Sequence, residues 1–180
     1  VTGVQTCALP ICKGCRMPWL LILMISASFT GMIITGFQDA LKKYVILTAY
    51  IPMLMDTGGN SGSQSSVTII RGLSLHEMEF RDIFKVLWKE SRVAILCGFT
   101  LATINFIKLM LFDQVGLKVA LIVNITLVLT VLVAKTVGSA LPMAAKRVGF
   151  DPAVMSAPFI TTIVDAISLI FYFGITNLVM

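Results

Sequence analysis

Residues 119–145 read VALIVNITLVLTVLVAKTVGSALPMAA, 27 residues with a single charge, Lys135. At about 1.5 Å of rise per residue, such a run is long enough to cross the roughly 30 Å hydrocarbon core of a bilayer as a helix. The pattern repeats outward from it. Residues 17–38 carry no charge, 93–112 only Lys108, and 152–180 only Asp165. Residues 44–70 are apolar apart from Asp56 and the polar cluster GGNSGSQSS at 58–66. The expectation is an all-α polytopic membrane protein with five transmembrane helices, at about 17–38, 44–70, 93–112, 119–145 and 152–180.

Composition agrees. Of 180 residues, 57% are hydrophobic and only 13% charged, with a mean hydropathy of +0.94. A soluble domain carries about a quarter charged residues. That excludes a soluble globular enzyme, a disordered tail and a nucleic-acid-binding module, and makes the lipid bilayer the main partner. The formal charge of +5 suits basic residues flanking membrane spans. With the N-terminus inside, Lys13, Arg16, Arg71, Arg81, Lys85, Lys89, Arg92, Lys146 and Arg147 face the cytoplasm, against Lys42, Lys43, Lys108 and Lys118 outside. Nine against four predicts a multi-pass protein of the cell membrane, N-terminus cytoplasmic and C-terminus outside.

Three further segments stand apart. The opening VTGVQTCALPIC resembles the translation of an adaptor sequence, so residues 1–16 are set aside as a non-native or linker segment and the domain is taken as 17–180. Cys12 and Cys15 have the spacing of a zinc or redox pair, but no second pair or nearby histidine completes it. Ser74 and Glu77 fit a capping box, and Phe80, Ile83, Phe84, Leu87 and Trp88 share one helical face. This suits an interfacial helix over about 75–92, or equally a solvated connector with an apolar seam.

No GxSxG, HExxH or Walker loop occurs, and no enzyme is expected. Chemistry is sought instead at Asp56, Lys135 and Asp165, because ionisable groups at bilayer depth mark a pathway or a partner. Asp165 falls near the middle of its span. Thr161 and Ala157 precede it by four and eight residues, and Ser168 and Tyr172 follow by three and seven, which places oxygen-bearing and small groups on one face. Oxygen ligands around a carboxylate suit a hard cation. The alternative is a structural ion pair between Asp165 and Lys135. In the polar cluster, Gly58 and Gly62 have the GxxxG spacing of close helix packing. Equally, the glycines could loosen the helix and expose carbonyls, with Asn60, Ser61 and Gln64 adding oxygens.

PMLMDTGGNSGSQSSVTIIRGL (52–73) and GFDPAVMSAPFITTIVDAISLIFYFGI (149–175) closely resemble the MgtE-type magnesium transporter family, from about Pro18 onward. The resemblance implies a homodimeric, channel-like pore on the two-fold axis. Mg2+ is then both the transported ion and the pore ligand. Asp165 matches the family's pore aspartate and Asp151 its acidic position near the cytoplasmic mouth. Thr161, Ala157, Gly58, Gly59, Asn60 and Gln64 are the expected pore-lining set, with no side-chain ligand expected at Ala157. Family members also carry a cytoplasmic N-terminal domain and a CBS pair, which this sequence does not contain. The competing expectation is a non-conducting assembly subunit whose intramembrane charges pair helices.

Overall fold

The computed structural model of this chain describes residues 13–38, 42, 44–78, 80–149 and 152–179, with backbone alone at 13–16, 18–19, 22, 80 and 152–158. The described residues form α1 (Lys13–Gly36), α2 (Ile51–Ser74), α3 (Ile83–Leu111), α4 (Leu117–Val148) and α5 (Pro152–Val179). Short 3-10 turns at Val45–Tyr50 and Phe80–Asp82 lead into α2 and α3. Helix α4 is central, packed against α2, α3 and α5; α2 also packs on α5, and α1 rests on α5.

The five-span expectation is corrected here. Among the described residues, three helices are long and apolar enough to cross a membrane: Ile83–Leu111, Leu117–Val148 and Phe159–Val179. The polar run from Gly58 to Ser66 keeps α2 below the hydropathy of a lipid-facing helix. Most of those residues are small and buried against neighbouring helices, so α2 answers to protein rather than to hydrocarbon. In α1 the apolar stretch among described residues is Leu23–Gly36, shorter than a span. The start of the expected second span is also different in kind. Residues 45–50 are a 3-10 turn, and the helix proper begins beside Pro52, which fits the first turn because its missing N–H has no partner there anyway.

The connector reads differently too. Ser74 is not an N-cap; it closes α2, and its hydroxyl donates back to the Ile70 carbonyl at 2.9 Å. Residues 83–92 are the first turns of α3 itself rather than a separate interfacial helix. Phe84 and Trp88 point outward, 82% and 71% exposed, whereas Val86 turns in against Ile69, Leu73 and Met143. The Lys146 ammonium donates to the Leu73 carbonyl at 2.9 Å, satisfying one of the unpaired carbonyls at the end of α2. The last turn of α4 closes on Gly149, whose φ of 84° is left-handed and whose N–H reaches the Ala145 and Lys146 carbonyls.

At the opposite end a larger core joins Leu47, Tyr50, Leu54, Leu109, Val123 and Tyr172. The Tyr172 hydroxyl donates to the Leu47 carbonyl at 2.9 Å, so this buried phenol is satisfied and fixes α5 to the turn before α2. Lys108 pairs with Asp113 at 2.7 Å just beyond α3, and the Tyr50 hydroxyl donates to the same carboxylate at 3.2 Å.

Candidate functional site

Asp165 lies midway along α5, half-buried. Thr161 and Thr162 stand one turn before it and Ser168 one turn after, so all share its side of the helix. The Ser26 hydroxyl of α1 donates to Thr162 Oγ1 at 2.8 Å. Thr161 is met by α2, since a Cβ added to Gly59 would lie 3.2 Å from its methyl group. Asp165 thus sits in the crease where α1 and α2 approach α5. It makes no ion pair or hydrogen bond among the described residues.

The glycines of α2 belong to packing. The helix is continuous from Ile51 to Ser74, so its carbonyls stay in the helical ladder. A Cβ on Gly58 would fall 2.7 Å from both Thr130 of α4 and Val164 of α5, and one on Gly62 would fall 2.6 Å from Ile160. These absences of side chain let three helices close at one level. Nearby, the buried Thr130 and Ser168 hydroxyls have no hydrogen-bond partner among the described residues, and neither has that of Ser66.

The structure separates the expected pore-lining set into two places. Gly58 faces Thr130 of α4 and Val164 of α5, and Gly59 faces Thr161 of α5. Asn60 and Gln64 lie on a different face of α2, in a cavity of about 530 Å3 shared with α3 and α4. Ala157 occupies the α5 backbone two turns before Asp165, and its side chain lies outside the described residues, as does Asp151 altogether.

Lys135 borders the same cavity. It is 8% exposed, and its ammonium donates to Ser65 Oγ at 3.4 Å, while Ser65 donates to Glu90 Oε2 at 2.8 Å. The partner of Lys135 is therefore Glu90, through a serine, and the Asp165–Lys135 pair offered by the sequence is not formed. Glu90 is not among the residues singled out by the sequence, and Ser65 enters there only as part of the polar cluster at 58–66. A carboxylate in the first turns of a long apolar helix, facing a small hydroxyl, was the available signal. Across α3 and α4, Asn105 Nδ2 donates to Asn124 Oδ1 at 3.2 Å, and Asn124 in turn donates to the Ala120 carbonyl at 2.7 Å. Among the described residues, no three His, Cys, Asp or Glu side chains gather into a metal cage.

Taken together, the fold and site define an all-α, multi-pass membrane protein whose interior holds charged and hydroxyl-bearing side chains. Residues 51–175 match the MgtE family, described as divalent cation transporters, and the chain belongs to that family. It is 36% identical over 165 residues to the magnesium transporter MgtE of Thermus thermophilus, covering 92% of this chain and 36% of that protein. The magnesium transporter MgtE of Bacillus subtilis is 36% identical over 162 residues, covering 90% of this chain and 36% of its own length. That of Enterococcus faecalis is 29% identical over 168 residues, covering 92% and 36%. The chain thus spans about 36% of the length of these relatives. Its family is one of transporters, not of catalysts.

Proposed function

We propose that this chain forms the membrane portion of a magnesium transporter, in which two copies meet on a two-fold axis and hydrated Mg2+ passes beside Asp165 of each. The observation that carries this is Asp165 itself: a carboxylate midway along a spanning helix, half-buried, with no ion pair among the described residues. A charge so placed is costly unless water, a cation or a partner compensates it. Lys135 is engaged at Ser65 instead, so it does not answer the Asp165 carboxylate.

Magnesium sheds water reluctantly and keeps octahedral oxygen coordination, so a path for it needs width and few direct ligands. Two carboxylates across a symmetry axis repel one another when empty, and a divalent ion relieves that repulsion. Thr161 lines the approach, and the small Ala157 leaves room for the water shell. Asp151, immediately before Pro152, is assigned to the cytoplasmic mouth. The basic residues at the Ile83 end of α3 and the Val148 end of α4 support a cytoplasmic location for that side and an outer one for the end of α5.

The test is Mg2+ flux into liposomes. Asp165→Asn preserves shape and removes the charge, so flux falls by an order of magnitude or more while thermal stability and dimer content hold. Normal flux through this variant overturns the assignment.

A further inference from the structure

The crevice between α2, α3 and α4 is distinct from the crease that holds Asp165. On its α2 wall Asp56, Asn60 and Gln64 are spaced by four residues, one above another on a single face. Thr100 and Cys97 of α3 border the same space, and Lys135 of α4 closes it. A second cavity of about 260 Å3 adjoins the first, sharing Thr57 and Leu101, and extends to Lys108 near the end of α3. A crevice therefore runs from the middle of α3 to its Lys108 end, apolar over most of its wall and polar along the row from Asp56 to Gln64.

Charge balance decides what this crevice accepts. The Lys135 ammonium is drawn to Ser65 and answered by Glu90. Ser65 lies nine residues beyond Asp56, roughly 13 Å along the helix. Lys108 at the other end is paired with Asp113. Asp56 makes no ion pair or hydrogen bond among the described residues, so its carboxylate is the unanswered charge. Around it are neutral oxygens from two side-chain amides and two threonines. One carboxylate with carbonyl and hydroxyl oxygens is a hard donor set for a cation that keeps most of its water. Six waters at about 30 Å3 each occupy roughly 180 Å3, well within the larger cavity.

We propose that this crevice is a second cation site, binding a hydrated divalent cation on Asp56, with Asn60 and Gln64 hydrogen-bonding its water shell. The site is independent of the pathway assigned to Asp165 and does not rest on it. Lys135, held toward Glu90, leaves the Asp56 end negative.

Cys97 is a free thiol bordering the cavity and serves as the reporter. With Cys7, Cys12 and Cys15 replaced by serine, the labelling rate of Cys97 by a neutral methanethiosulfonate is measured in the purified full chain. Millimolar Mg2+ is compared with K+ at equal ionic strength; a neutral reagent excludes charge screening as the cause. Mg2+ slows labelling several-fold in this background and in Asp165→Asn, fails to slow it in Asp56→Asn, and slows it again in Asp56→Glu. Asn60→Leu, which leaves the carboxylate in place, weakens the protection. Equal rates in Mg2+ and K+ in the background, or undiminished protection in Asp56→Asn, overturn the site. Loss of protection in Asp165→Asn overturns its independence, whatever that variant does to flux.

Discussion

The backbone of Gly138 lies against that of Gly62: a Cβ built on Gly138 would run into the Gly62 carbonyl oxygen and lie 2.9 Å from its carbonyl carbon. Helices α2 and α4 meet there main chain to main chain, and no flexible side-chain end can yield. Gly138→Ala must therefore part the two helices. Overpacking of this kind costs about 1–3 kcal/mol, read as a lowered thermal midpoint in detergent. Gly174→Ala is the control, because a Cβ there meets nothing within 4 Å, and alanine improves helix propensity. Equal midpoints for the two variants contradict the close approach.

Two neighbouring serines give opposite outcomes. Ser65→Ala removes the bridge between Lys135 and Glu90 and leaves a buried ammonium without its hydrogen bond. An unsatisfied buried donor costs about 1–3 kcal/mol, more when charged. Ser66 is as deeply buried, but its hydroxyl has no partner among the described residues, so Ser66→Ala is neutral or mildly stabilising. Thermal unfolding of the pair in one detergent decides this, and a reversed order contradicts the relay.

Acid should loosen the α3–α4 turn over a particular window. The hydrogen bond from Lys108, helped by that from Tyr50, holds the Asp113 carboxyl below its usual value. A depressed carboxyl contributes stability in full above the unfolded carboxylate range and loses it as pH falls through the lowered folded value. Asp113→Asn therefore lowers the thermal midpoint at neutral pH, and the gap from the parent closes in strong acid. A gap that persists unchanged at low pH excludes the ionic contribution.

Cysteines introduced at Lys85 and at Gln114 test the orientation. In sealed vesicles of known sidedness, an impermeant thiol reagent is expected to label the Lys85 position from the cytoplasmic face and the Gln114 position from the outer one. Labelling of both from one side contradicts the placement of α3 across the bilayer.

Much of the fold was legible because hydropathy sums locally. The apolar run at 119–145 lies within α4, and the span expected from residue 152 is a helix that begins at Pro152. Asp165 stood out because a lone carboxylate in a long apolar run is conspicuous. The count of spans failed at residues 44–70, where composition cannot say whether lipid or another helix covers a residue. In α2 the small residues are covered by α4 and α5, so a polar helix sits comfortably beside apolar ones. The partner of Lys135 was beyond reach for a different reason. Ser65 is 70 residues away and Glu90 is reached only through it, a relationship that no local spacing encodes. The capping box failed because a serine at the end of a helix can turn its hydroxyl back to its own fourth-previous carbonyl, as Ser74 does.

Helix α1 has a mechanical consequence for Asp165. Ser26 holds Thr162 at 2.8 Å, and just past α1 the Phe37 ring stacks on Phe173, centroids 4.6 Å apart and planes within 11° of parallel. The two attachments lie on either side of Asp165, roughly 16 Å apart along α5. A rod pinned at two points to a second rod does not swivel alone. Any rotation that re-aims the Asp165 carboxylate has to carry α1 with it or break one of the pins, so α1 acts as a splint on the helix that bears the charge.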